Sequence, residues 1–187
     1  MFRTGAIRSL SRQGIGLLAM CMVSMFSDVT FADENALALR VKSAFIYNFT
    51  KFLTWPDSSF AEQNDPISIC VAGNREMLES LKQIVAGKVV QRRSVSALYV
   101  ESHKDIGSCK LLYLSDSHQP LEYWVSANNA RHLISIGDGD DFIDQGGTIG
   151  FVAHNGKIRF EINQGSASKQ QVHISSKLLS LAQRVTY

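Results

Sequence analysis

An α/β domain with a mainly parallel sheet, flanked by helices and closed by a hairpin toward its C-terminal side, is the fold this sequence predicts. Three observations predict it. Short apolar runs recur along the chain, at Pro66–Ala72, Val95–Val100, Lys110–Leu114 and Leu133–Ile136. Segments of helical period alternate with them, as in βαβ units. Near the end, Thr148–Ala153 and Lys157–Ile162 are joined by His154-Asn155-Gly156, and Asn-Gly favours a tight hairpin turn.

The first element is not part of that fold. Arg3, Arg8 and Arg12 make a basic start, Ile15–Phe26 is an apolar run, and Thr30 and Ala32 supply the small residues of a cleavage site. This order reads as a secretory signal peptide over residues 1–32, with the mature domain at 33–187. The apolar run is shorter than the roughly 20 residues a membrane anchor needs. No paired arginines of the twin-arginine type are present. Cys21, preceded by Met20, leaves with the leader.

Asn35–Leu53 lacks Pro and Gly and reads as a helix. Val41, Phe45, Asn48 and Phe52 fall on one face, yet Ile46, Tyr47, Phe49 and Leu53 spread apolar surface well around it. Such a helix is normally buried on more than one side, and the surplus aromatic surface suits a partner or a second subunit, as in a homodimer. Pro56 ends this element, with Trp55 at the corner. After the first strand, Gly73-Asn74 turns the chain into a helix over Arg75–Ala86, its apolar side carrying Met77, Leu78, Leu81, Ile84 and Val85. Pro120–Asn129 reads as another helix, opening on proline. Ile158, Phe160 and Ile162 alternate with Arg159, Glu161 and Asn163, the pattern of a strand with one wet face. Ser175 and Ser176 are suited to cap a last helix carrying Leu178, Leu179, Leu181, Ala182 and Val185.

Charge bounds the partners. The chain has 19 basic and 17 acidic residues. Three arginines and one aspartate lie in the leader, so the mature domain is neutral, histidines aside. A neutral domain without a basic block argues against nucleic acid.

In an oxidising compartment Cys70 and Cys109 are placed to form a disulfide if the first and third strands are neighbours. A structural staple, a redox-sensing bridge and two buried thiols are all open on this reading. Catalytic signals are poor: there is no Gly-x-Ser-x-Gly, no phosphate-binding Gly-x-x-x-x-Gly-Lys and no His-Glu-x-x-His. Neither a cofactor nor a metal is expected. The five histidines, His103, His118, His132, His154 and His173, lack metal-ligand spacing. Gly137-Asp-Gly-Asp-Asp141 reads as a solvated turn, since it lacks the spacing and terminal Glu of a calcium loop. Gly146-Gly147 marks a turn or a close backbone approach. Two candidate surfaces remain. A pocket near Trp55, Arg159 and His173 would take a small anion if the strands of the last two adjoin. Tyr123 and Trp124 offer apolar surface to a protein partner.

The stretch Val41-Lys-Ser-Ala-Phe-Ile-Tyr-Asn-Phe-Thr-Lys-Phe-Leu-Thr-Trp-Pro56 resembles the opening signature of the YfiR family. Ile69-Cys-Val-Ala-Gly73, Cys109-Lys-Leu-Leu-Tyr-Leu-Ser115, Phe142 through the Gly-Gly pair to Phe160-Glu-Ile-Asn163, and Ile174-Ser-Ser-Lys-Leu-Leu-Ser-Leu-Ala182 are similar in the same order. Some relatives carry a second cysteine pair near the Gly-Gly segment, and this chain has none there. The resemblance implies a non-enzymatic periplasmic repressor. It would bind the sensor domain of an inner-membrane diguanylate cyclase, hold the enzyme off and so lower cyclic-di-GMP and biofilm formation. It would itself be sequestered by an OmpA-like outer-membrane lipoprotein. A periplasmic small-molecule-binding protein is the alternative.

Overall fold

The computed structural model describes residues 29–115, 119–125 and 131–187. The leader up to residue 28, His118 and the second half of the helix expected at Pro120–Asn129 lie outside the described residues. The chain divides into two units, residues 1–37 and 38–187. Helix α1 (Val29–Phe49) begins in the first and ends in the second. No described helix is long and apolar enough to cross a membrane.

Residues 38–187 form a mixed α/β domain. In chain order the elements after α1 are β1 (Leu53–Thr54), β2 (Ile67–Ala72), α2 (Arg75–Val85), β3 (Val89–Val90), β4 (Arg93–Tyr99), β5 (Cys109–Leu114), α3 (Leu121–Val125) and β6 (Ile134–Asp138). They continue with β7 (Ile149–His154), β8 (Lys157–Asn163), α4 (Gln164–Lys169), β9 (His173–Ile174), α5 (Ser176–Leu179) and β10 (Val185–Thr186). The main sheet runs β10-β8-β7-β6-β5-β2-β4-β3. Strands β4, β2, β5, β6 and β7 are mutually parallel. Their spatial order is the doubly wound 2-1-3-4-5, with its switch point between β2 and β5. The β7–β8 hairpin is antiparallel, and Asn155 and Gly156 take φ of 51° and 69° at its turn, the two left-handed positions that a tight hairpin requires.

The central strands β2 and β5 are buried at every position, which is why their sequences are apolar without alternation. Helix α2 packs one face through Met77, Leu78, Leu81 and Val85, and Asn74 caps it by accepting from Met77 N–H at 2.8 Å. On the same side Ile46, Phe49 and Leu53 are buried, while Phe45, Phe49, Phe151 and Phe160 form one ring cluster with centroids 5.0–6.1 Å apart. The apolar breadth of α1 thus serves the core. Its most buried stripe is Ser43, Ile46, Phe49 and Thr50, not the expected Val41, Phe45, Asn48 and Phe52 stripe, and Asn48 is exposed.

Several ends differ from expectation, α1 beginning at Val29 rather than Asn35. Helix α1 stops at Phe49 rather than Leu53. Thr50, Lys51 and Phe52 donate to the carbonyls three residues back, tightening the chain so that Leu53 and Thr54 can pair antiparallel with Ile174 and His173. The last helix is only α5. Ser175 does cap it, accepting from Leu178 N–H. The chain then leaves to add β10 parallel to β8. Arg184 secures that exit, with two bonds of 2.9 Å to the Asp144 carboxylate and others of 2.9 and 2.6 Å to Glu161. Its hydrogen bonds hold the Asp144 carboxyl below the usual carboxylate range and push the guanidinium further up.

Cys70 and Cys109 form the disulfide, with Cα atoms 5.8 Å apart on neighbouring strands. It lies within a second apolar cluster on the opposite face of the sheet, with Ile106, Leu112, Trp124, Phe142 and Ile143. The Gly-Gly pair is both a turn and a close approach: Gly146 has φ of 96°, and Gly147 lies against the Phe142 ring, whose other side lies against Gly137.

Candidate functional site

The structure separates Arg159 from Trp55 and His173, the residues with which it was expected to share a pocket. Arg159 is exposed on β8, which pairs with β7 and β10. His173 is exposed on β9, which pairs with β1. Their strands do not adjoin, so the condition for a shared anion site is not met. Trp55 follows the Thr54–His173 pair directly and is 5% exposed. Its indole N–H donates to the His132 carbonyl at 3.1 Å, the partner a buried tryptophan needs.

Of the partner-facing pair, the structure buries Trp124 and leaves Tyr123 half-exposed. Trp124 is 3% exposed inside the second cluster. Its short helix lies against the segment before β5, so its ring fills the space beside the disulfide and is not a surface contact. Tyr123 is half-buried, edge-on to Trp124 and to His103 at a 4.6 Å centroid distance. Within the acidic turn, Gly139 and Asp140 are solvated as expected, but Asp138 is engaged, 2.6 Å from Lys42 Nζ and accepting from Tyr113 O–H at 2.5 Å. Among the described residues no group of three His, Cys, Asp or Glu could hold a metal ion.

A cleft of about 730 Å³ opens beside Trp55, lined by Thr54, Trp55, Asp57, the Phe60–Asn64 loop and Gln91–Arg93. Arg93 builds one wall. Its guanidinium stacks 3.6 Å over Phe60 and one nitrogen donates to the carbonyls of Glu62, Gln63 and Asp65 at 2.9–3.2 Å. This fixes a polar loop that has no regular structure of its own. The opposite wall is the two-residue turn between β3 and β4, where Val90 pairs with Arg93. Both turn residues, Gln91 and Arg92, have positive φ, 51° and 65°. Glycine or asparagine would fill such a turn with less strain. Left-handed non-glycine residues cost on the order of 1 kcal/mol each and persist where the surroundings demand them. Gln91 has such a demand, since its amide donates to the Leu53 carbonyl at 3.0 Å. Arg92 is exposed at the cleft.

Sequence reasoning missed this arginine pair. The signal present was the two-residue spacing between apolar Val89-Val90 and the strand that follows, but without Gly or Asn it does not read as a hairpin. An Arg92→Gly variant is expected to gain about 1 kcal/mol in denaturant unfolding, through relief of the left-handed strain, and to weaken whatever the cleft binds. A loss of stability would show the turn to be unstrained.

The described residues thus define a doubly wound α/β domain with a disulfide-stapled core and a polar, arginine-bearing cleft. The family model described as DUF4154, YfiR/HmsC-like, matches residues 39–183, and the chain belongs to that family. No curated protein matches the chain. Among solved structures it is similar to a conserved domain protein from Vibrio cholerae, at 13% identity and a TM-score of 0.51, over 77% of this chain and 60% of that one. It is similar also to an ABC domain in complex with L-Trp from Streptococcus pneumonia, at 12% identity and a TM-score of 0.51, over 79% of this chain and 60% of that one. The chain therefore spans about 60% of the length of these two structures. At such identities they speak for the α/β fold alone.

Proposed function

We propose that this protein is a periplasmic regulator that binds the sensor domain of an inner-membrane diguanylate cyclase and holds the enzyme inactive, without catalysis of its own. The observation that carries this reading is the YfiR/HmsC-like match over residues 39–183, nearly the whole α/β domain. The basic, apolar and small-residue order of residues 1–32 supports export, and a disulfide between strands suits an oxidising compartment. An OmpA-like lipoprotein would act as the opposing partner by sequestering the repressor.

Repression of this kind is a population shift. The repressor must favour the inactive sensor, and moving a balance from 1:99 to 99:1 takes roughly 5.5 kcal/mol of differential binding. Capture on tagged protein from detergent-solubilised membranes tests the partner. A diguanylate cyclase with a periplasmic sensor region is expected among the captured proteins. Repeated capture without any such enzyme would count against the reading.

A second reading has one observation in its favour. The cleft beside Trp55 has the volume of a ligand site, which is typically about 300–1,000 Å³. A small molecule held there would make the domain a binding protein, and Trp55, Arg92 and Arg93 would border its ligand.

A further inference from the structure

We infer a second binding site, for a small carboxylic acid with an apolar tail, in the hollow between the open face of β4 and Lys110. This inference does not rest on the regulatory reading.

Parallel sheets are normally covered on both faces. Helix α2 covers one face of β2 and β4. On the other, Ser94 and Leu98 of β4 are exposed, Leu98 at 43%, and Ser96 is half-buried. Serines stand where a covered strand would carry Val or Ile. Ser96 Oγ lies 3.3 Å from the hydroxyl of Ser68 on β2, itself 3% exposed. A hollow of about 500 Å³ opens over this pair, walled by Ser59, Phe60, Leu98 and Lys110, with Asp65 also on its lining. That volume suits a small ligand. The hollow lies toward the amino ends of β2 and β5, away from the carboxyl-end crevice usual in open α/β sheets.

Lys110 sets the charge of the occupant. It is 6% exposed, and its ammonium donates to the Ser59 carbonyl at 2.5 Å. That is one acceptor for three N–H groups. Among the described residues no carboxylate comes within ion-pair distance of it. Asp65 is the carboxylate that acts on it from further away, and its Oδ2 already accepts from the N–H groups of Ala61 and Glu62 at 2.8 and 2.9 Å. The second cation, Arg93, hydrogen-bonds among the described residues to the carbonyls of Glu62, Gln63 and Asp65. Two cations thus lie over the Phe60 ring, Arg93 at 3.6 Å and Lys110 at 4.8 Å. Burial pushes the Lys110 ammonium below its ordinary value, Asp65 partly restores it and Arg93 opposes it further. Ser59 Oγ is buried without a hydrogen-bond partner among the described residues. A carboxylate would supply the acceptors this corner lacks, and Phe60 and Leu98 would cover an apolar tail.

The probe is octanoate, with octanol as its neutral counterpart, titrated into purified protein and followed by amide resonances. Octanoate is expected to saturate and to shift Ser68, Ser96, Leu98 and Lys110. Lys110→Met is expected to weaken it at least tenfold, the scale of one charge-assisted hydrogen bond, and octanol is expected to bind far more weakly than octanoate. Ser96→Leu, which fills the hollow from an accessible position, is expected to abolish binding, and it carries the test if Lys110→Met does not fold. Three results would overturn the site: no shift of these residues at millimolar octanoate, equal binding of octanol, or unaltered binding by both variants. The assay contains no cyclase, so its failure leaves the regulatory reading untouched.

Discussion

Protein carrying Cys70→Ala and Cys109→Ala is expected to lose about 2–5 kcal/mol of stability, as when native disulfides leave small secreted domains. The bridge spans 39 residues. Closing a loop of that length removes unfolded-chain entropy worth about 4 kcal/mol in the chain-entropy model. The two sulfurs also fill the second apolar cluster, Cys70 at 0% and Cys109 at 2% exposure. The loop they close contains α2, the β3–β4 hairpin and the Arg93 clamp, so the variant is expected to loosen the cleft as well as the core. For a domain of this size the midpoint should fall by about 10 °C. Thermal unfolding of wild type with and without reductant, beside the double variant, measures it. A fall of less than 2 °C in both would refute the staple.

Gly147→Ala is expected to destabilise by about 3 kcal/mol, at the upper end of overpacking in a filled core. A Cβ there would press into the Phe142 ring and lie 2.7 Å from the Phe142 carbonyl oxygen, the acceptor of the Gly147 N–H at 3.0 Å. A Cβ at Gly137 would meet the other side of the ring. Phe142 is 8% exposed and packs with Cys70, Trp124 and Ile143, so the ring has little room to retreat. A double-mutant cycle isolates the contact. In a Phe142→Leu background the Gly147→Ala cost should shrink by more than 1 kcal/mol. An undiminished cost would assign the effect to the backbone instead.

These two effects mark how much the sequence revealed. The central strands were legible as strands, because strands buried on both faces are largely apolar, as Pro66–Ala72 and Lys110–Leu114 are. The Cys70–Cys109 pairing followed once those strands were neighbours. Gly146-Gly147 announced a backbone constraint, but the aromatic that imposes it is five residues away from Gly147 on one side and from Gly137 on the other. Short elements fixed by tertiary pairing were not legible. Leu53–Thr54 and His173–Ile174 are strands only because they meet each other, and Val185–Thr186 only because β8 offers an edge. The site was the least legible part. Trp124 reads equally as surface or core, and it is buried in the cluster that holds the disulfide. Lys110 was visible as one charge in an apolar run, but its burial depends on the Ser59–Phe60 loop folding over it.

The regulatory account makes one cellular measurement decisive. Cyclic-di-GMP is measured in a strain lacking this gene, in one also lacking the captured membrane cyclase, and in the deletion strain complemented with the wild-type gene. The account predicts a rise on deletion, no rise when the cyclase is also absent, and return to the starting level on complementation. Unchanged cyclic-di-GMP on deletion, under envelope stress as well as in unstressed growth, would contradict it.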